Sequence, residues 1–132
     1  MAGHPWFSSG LEWHTRLDDA LAEAGADAAG RKLMLVVGKP LCAGTRALVE
    51  RTLAKEEIEE YTRSHFVLLA VDAEALAAEP RVAEIVERLP VKAPTPLIAY
   101  VSAAGRVVGS SAGGRPPAVL LNDMLGASSK KS

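Results

Sequence analysis

Leu33-Met-Leu-Val-Val37 runs straight into Gly38-Lys-Pro-Leu-Cys-Ala-Gly44, and Thr45 and Arg46 follow. The apolar run, bounded by Lys32 and Gly38, has the length and composition of a strand covered on both faces. Gly38 to Gly44, with a glycine at each end and a proline inside, reads as a loop. A helix is expected from about Thr45 through Leu53, with Ala47, Leu48 and Leu53 apolar. Cys42 therefore falls just past a strand and just ahead of a helix. A thiol there faces unsatisfied backbone N–H groups and the positive end of a helix dipole. Both favour the thiolate, the nucleophilic and redox-active form. Thr45, one turn on, is placed to donate its hydroxyl to the sulfur, and Arg46 adds a nearby cation. The competing reading is a small apolar filler, because free cysteine is among the most buried residue types.

Upstream, Thr15 followed by Asp18 has the form of a capping box, and Leu17, Ala20, Leu21 and Ala24 fall at helical spacing behind it. The Gly25–Gly30 region ends that helix. Trp13, just ahead of it, is expected to pack the helix onto a sheet, or else to line a groove near Cys42. Downstream, Lys55–Arg63 is acidic and helix-prone, with Ile58 and Tyr61 as anchors. Phe66-Val-Leu-Leu-Ala-Val71 is a second buried strand, stopped by Asp72. Glu79–Leu89 reads as a helix with Val82, Ile85, Val86 and Leu89 on one face. Pro94-Thr-Pro-Leu-Ile-Ala-Tyr-Val101 becomes a strand after its prolines, Ala104-Gly105 is a turn, and Arg106–Gly109 returns as a hairpin. Pro116-Pro117 opens a last helix through Leu125. The order α-β-α-α-β-α-β-β-α implies an α/β fold with a mixed sheet and helices on both faces.

The 132 residues suit one domain, with no internal repeat and no low-complexity segment. Residues 1–12 read as an N-terminal extension, loose unless Trp6 and Phe7 pack on the body. Residues 13–125 form the domain, and 126–132 read as a disordered polar tail. Fifteen Lys+Arg stand against 16 Asp+Glu, which argues against nucleic acid as a partner, because phosphate binding needs a cationic face. One cysteine excludes internal disulfides and the four-ligand cysteine zinc classes. His4, His14 and His65 lack paired spacing, so no metal site is expected, and no cofactor motif is present. His65 is read as capping or solvating the end of the helix before it. Gly113-Gly114-Arg115 lacks phosphate-loop spacing. Glu56, Glu57, Glu59 and Glu60 read as a solvated helix face. There is no basic, apolar leader and no run near the ~18 apolar residues that span a bilayer, so a cytoplasmic location without membrane contact is expected.

These segments together resemble the thioredoxin superfamily, in the group with an extra N-terminal helix preceded by a Trp. Trp13, Leu17–Leu21 and Arg31–Arg46 resemble the helix, first strand and redox loop. Phe66–Asp72 is similar to the next strand with its terminal Asp, and Thr95–Val108 to the cis-proline strand and its glycine turn. The resemblance spans about residues 13–125. It implies a thioredoxin-like three-layer α/β/α sandwich with a mixed central sheet and an added N-terminal helix. It also implies that Cys42 is the attacking thiol and that Pro96 is a cis-proline lying opposite it. The backbone of Thr95 would pair with a substrate peptide as an added strand. Without the resemblance, Pro94 and Pro96 need only keep an edge free of ladder bonds.

Three departures from that pattern bear on function. Thr45 stands in place of the second cysteine of C-x-x-C, so a mixed disulfide on Cys42 has no internal resolving thiol. Leu41 replaces the usual Trp. Val36 falls where a buried carboxylate is expected. Cys42 and Thr45 remain the candidate catalytic pair, Thr95 and Pro96 the candidate substrate-binding pair, and Arg46 a candidate thiolate stabiliser. The first reading is monothiol–disulfide exchange with protein thiols or glutathione, resolved by an external thiol. The second is an inactive interaction module that binds peptide or protein partners. The third is a thiol peroxidase working through a sulfenic acid.

Overall fold

Alternation organises the central strands. A computed structural model of the chain describes residues 11–27, 30–39, 42–89, 96–112 and 116–130. In strand β2 (Lys32–Gly38), Met34 and Val36 join one buried cluster, while Leu33, Leu35 and Val37 join another. Strand β3 (Phe66–Asp72) divides in the same way: Phe66, Leu68 and Ala70 against Val67, Leu69 and Val71. Strand β4 (Leu97–Val101) sends Ile98 and Tyr100 one way and Leu97, Ala99 and Val101 the other. Successive strand side chains point to opposite faces, so unbroken apolar runs need a cover on each face.

Helices supply both covers. The first cluster takes Ile58 of α3 (Glu56–His65) and Leu120, Met124 and Ala127 of α5 (Pro117–Ser128). The second takes Leu17, Ala20 and Ala24 of α1 (Leu17–Ala26) and Val82 and Ile85 of α4 (Pro80–Glu87). The sheet order is β1-β3-β2-β4-β5, where β1 is Trp13–His14 and β5 is Val107–Ala112. β1, β3 and β2 are parallel, and β4 and β5 are antiparallel to their neighbours. This is the expected mixed α/β sheet. Gly105, at φ +87°, turns β4 back into β5 where a side chain would be strained. Gly109 lies between α5 and the sheet, where an added Cβ would make van der Waals contact at 3.4 Å with both Ala127 Cβ and Tyr100 Cδ2.

Several expectations are corrected. Among the described residues, a strand, β1, precedes α1. Trp13 is buried in the cluster of α3 and α5, on the face of the sheet away from α1, so it does not pack that helix down. α1 starts at Leu17 with Arg16 as an uncapped first residue, one position past the register that the Thr15–Asp18 pattern needs. Asp18 instead pairs with Arg81 of α4. α5 runs on to Ser128 with Ala127 buried, three residues into the segment read as a tail. Leu11, assigned to the extension, is part of the core.

The end of α5 is tied to the start of the sheet. Lys32, only 6% exposed, donates from Nζ to the Ser128 carbonyl at 3.2 Å. Tyr61 and Ser128 share a hydroxyl hydrogen bond. His65 closes α3 as expected: its Nδ1–H donates to the Tyr61 carbonyl at 3.0 Å while its ring stacks on Tyr61. The acidic residues of α3 are mostly exposed, and Glu59 takes an ion pair from Arg63 at 3.0 Å. Expectations for residues 1–10 and for Gly113–Arg115 lie outside the described residues.

Candidate thiol site

The parallel pair β2–β3 ends with Gly38 beside Asp72. Antiparallel pairing sets Val37 opposite Leu97, so buried Pro96, the residue before Leu97, lies at the same end of the sheet as Gly38. Cys42 lies four residues past Gly38. One end of the sheet therefore gathers the loop bearing the thiol, the Asp72 carboxylate and Pro96. In open α/β sheets, sites form beyond the carboxyl ends of parallel strands, and Cys42 occupies that position.

The helix after the loop starts earlier than the sequence suggests. α2 spans Ala43–Ala47, with Cys42 as its extended N-cap residue (φ −77°, ψ 121°), and it widens into a π-helical turn over Leu48–Thr52. Cys42 is half-buried. Its N–H donates to the Lys39 carbonyl at 3.1 Å, and its carbonyl accepts the Arg46 N–H at 3.0 Å. The thiol thus sits at the first turn of a helix, on backbone held from both sides.

The other candidates divide. Thr45 is completely buried, and its Oγ1 accepts the backbone N–H of Lys39 at 3.3 Å, so the hydroxyl oxygen serves the loop. Arg46 is exposed, and its Nε donates to Glu50 Oε2 at 3.1 Å, one helical turn away. That ion pair competes with any role at the sulfur. Asp72 is engaged too: its Oδ1 accepts the Glu74 N–H at 2.9 Å and caps the 3₁₀ turn that follows β3. Val36 is fully buried in an apolar cluster that includes Ile98 and Tyr100. Thr95, Pro94 and Leu41 lie outside the described residues. Among the described residues no group of three or more His, Cys, Asp or Glu could hold a metal ion, and no helix is long and apolar enough to cross a membrane.

A family model described as a thioredoxin-like domain matches residues 17–126. The chain belongs to the thioredoxin-like domain family. Among solved structures, it is similar to a thioredoxin from Thermus thermophilus, with 26% identity over 87% of this chain and 85% of that one, at a TM-score of 0.66. It shares the fold of a DsbH oxidoreductase, at 14% identity, a TM-score of 0.70 and coverage of 99% and 93% of the two chains. It also shares the fold of a poplar thioredoxin h mutant, at 18% identity, a TM-score of 0.66 and coverage of 98% and 93%. A search of curated proteins finds no match.

This thioredoxin-like domain also carries a pocket, away from Cys42, that its sequence does not announce. The pocket, of about 370 Å³, opens at the β1 edge, lined by Trp13, His14, Glu23, Arg31, Arg63 and Phe66 among others. It lies at the end where β3 begins, opposite the end that bears Cys42. A polar chain closes one side: His14 Nε2 meets Glu23 Oε1 at 2.6 Å, Arg31 donates to Glu23 at 2.8 Å, and Arg31 donates to Asp27 at 3.0 Å. The hydrogen bond from His14 lowers the Glu23 carboxyl from its ordinary 4.5, with Arg31 adding to the effect and partial burial opposing it. Burial works to lower the Arg31 guanidinium, but Asp27 and Glu23 outweigh it and hold it above its ordinary value.

A carboxyl held low contributes stability that is complete above its ordinary value and is lost as pH falls through its depressed one. Glu23 is 43% exposed, so solvent limits the effect to well under about 1 kcal/mol. Urea unfolding of wild type and Glu23→Gln should therefore differ by a few tenths of a kcal/mol near neutrality, on the order expected for exposed pairs. The difference should shrink toward zero in the acid range below 4.5. A gap that persists unchanged in acid would contradict this account.

Proposed function

We propose that this protein carries out thiol–disulfide exchange through Cys42 as a monothiol. The observation that carries the reading is the placement of a half-buried thiol at the first turn of α2, beyond the carboxyl end of β2 and on the same side as Pro96. Membership of the thioredoxin-like family and the likeness to a thioredoxin support it. So does the type of neighbour, since a DsbH oxidoreductase shares the fold.

The chemistry follows from the residue count. The Cys42 thiolate attacks one sulfur of a disulfide, forming a Cys42–S–S–R bond while the second sulfur leaves as a thiolate with the bonding electron pair. Cys42 is the one cysteine in the sequence, so no internal thiol can displace it. A second, external thiolate attacks the mixed disulfide, carries R away as a new disulfide and returns Cys42 as a thiolate. Protein thiols and glutathione are the partners of this cycle. A reducing compartment such as the cytoplasm would keep Cys42 available between turnovers.

Incubation with glutathione disulfide tests the proposal. One adduct per chain should form, map to Cys42 and be removed by excess dithiothreitol. Alkylation should titrate with a midpoint below the ~8.5 of a free cysteine. Absence of the adduct with a midpoint at or above that value would overturn the reading. Partner capture unaffected by Cys42→Ser would then point to an interaction module. A sulfenate trapped by dimedone at low peroxide, without disulfide exchange, would replace it with peroxidase chemistry.

A further inference from the structure

We infer that Thr45 is a positioning residue that clamps the loop carrying Cys42. The inference rests on the reading of Cys42 as the reactive thiol. Lys39, the first residue past β2, is held through both of its backbone groups by the turn that follows it. Its N–H donates to Thr45 Oγ1 at 3.3 Å, and its carbonyl accepts the Cys42 N–H at 3.1 Å. The Arg46 N–H closes the turn on the Cys42 carbonyl at 3.0 Å. These three bonds join the strand exit, the cysteine and the first turn of α2 into one unit, and the Thr45 hydroxyl is its one side-chain member.

Burial makes that hydroxyl consequential. Thr45 is 0% exposed, and a buried hydroxyl is costly unless it is hydrogen-bonded. Lys39 supplies the bond. Threonine is stiff at χ1, so Oγ1 stays where the Lys39 amide meets it. Cys42 depends on this because a thiolate at a helix start is favoured by backbone N–H groups held in a fixed direction. With the clamp removed, Lys39 and the backbone of Cys42 hold this arrangement less of the time, and the thiolate is favoured less. The position where a dithiol protein would keep its second cysteine is thus occupied by a group that shapes the first.

Thr45→Val keeps the shape and removes the acceptor. It is expected to shift the midpoint of Cys42 alkylation upward and to slow alkylation at neutral pH about three- to tenfold, the loss expected for one neutral hydrogen bond. Thr45→Ser, which restores the hydroxyl, should stay within about twofold of wild type by the same reasoning. A Thr45→Val protein that melts lower but keeps the wild-type midpoint would overturn the inference, because a purely structural role predicts that result. Should Thr45→Val fail to fold, amide exchange in the wild-type protein decides: a protected Lys39 N–H supports the clamp and an unprotected one overturns it. If Cys42 in the wild type is itself unreactive, the proposed function fails, and Lys39 exchange still reports on the clamp.

Discussion

Thr45→Cys is expected to give the chain an internal disulfide and to speed dithiothreitol-driven insulin reduction at least about tenfold over the wild type, whose mixed disulfide must wait for an external thiol. The rate estimate follows from replacing an intermolecular resolving step by an intramolecular one. Cys42 is the N-cap residue of α2 and position 45 is the third residue of that helix. Residues so related lie within the ~4.4–6.8 Å between Cα atoms that a disulfide requires. Position 45 is fully buried, so the new thiol would be shielded from outside disulfides and would act by attacking the Cys42 mixed disulfide. Thiol is a weaker acceptor than hydroxyl, so part of the Lys39 clamp is lost in the exchange. Mass spectrometry after mild oxidation reads the result directly. A variant that keeps two free thiols, or is no faster than wild type with dithiothreitol as the external reductant, would show that the loop geometry is not that of a dithiol site.

Tyr100→Ala should cost about 3–5 kcal/mol, a large part of the ~5–15 kcal/mol that holds a domain together. Tyr100 is fully buried in β4, its ring 5.4 Å from that of Phe66, and it pairs across the sheet with Gly109. Truncation opens a cavity between the sheet and α5 that close-packed neighbours cannot fill. The hydroxyl can be separated from the ring. Tyr100 Oη hydrogen-bonds Ser111 Oγ at 3.0 Å, and Ser111 donates to Asp123 Oδ2 at 2.8 Å. Tyr100→Phe removes only the first of these bonds and should cost about 1 kcal/mol. Urea denaturation of the two variants measures both quantities. Equal losses would mean that the hydroxyl chain, rather than ring volume, carries the packing of α5.

Sequence and structure agree best where the physics is local and repeated. Leu33–Val37 and Phe66–Val71 were legible as strands because runs of that length and composition have few other uses in a mixed domain. Cys42 was legible as a helix-start thiol because a strand, a glycine-bounded loop and a helix follow one another in one short stretch. β1 was not legible, since two residues carry no periodicity and Trp13 takes its face from pairing with Leu68. Arg46 illustrates a different failure. Its partner Glu50 sits at ordinary i,i+4 helical spacing, but nearness to Cys42 in the sequence drew the attention. The role of Thr45 was hidden for a further reason: its partner is the backbone amide of Lys39, and no residue type announces where a main-chain donor will point. The pocket beside Trp13 was invisible because its walls come from β1, α1, α3 and β3 at once.

The central place of β2 governs the order in which the molecule can assemble. Leu33 pairs with Val67 on one side and with Val101 on the other, so its second edge waits for a segment far along the chain. A ribosome that has released β2 and β3 has released an apolar ribbon with an open flank, and it must go on to β4 before that flank is closed. Non-local pairing of this kind slows folding and prolongs exposure of strand edges. Exposure of the apolar β2 edge is therefore longest during synthesis and ends once the Leu97–Val101 strand has docked.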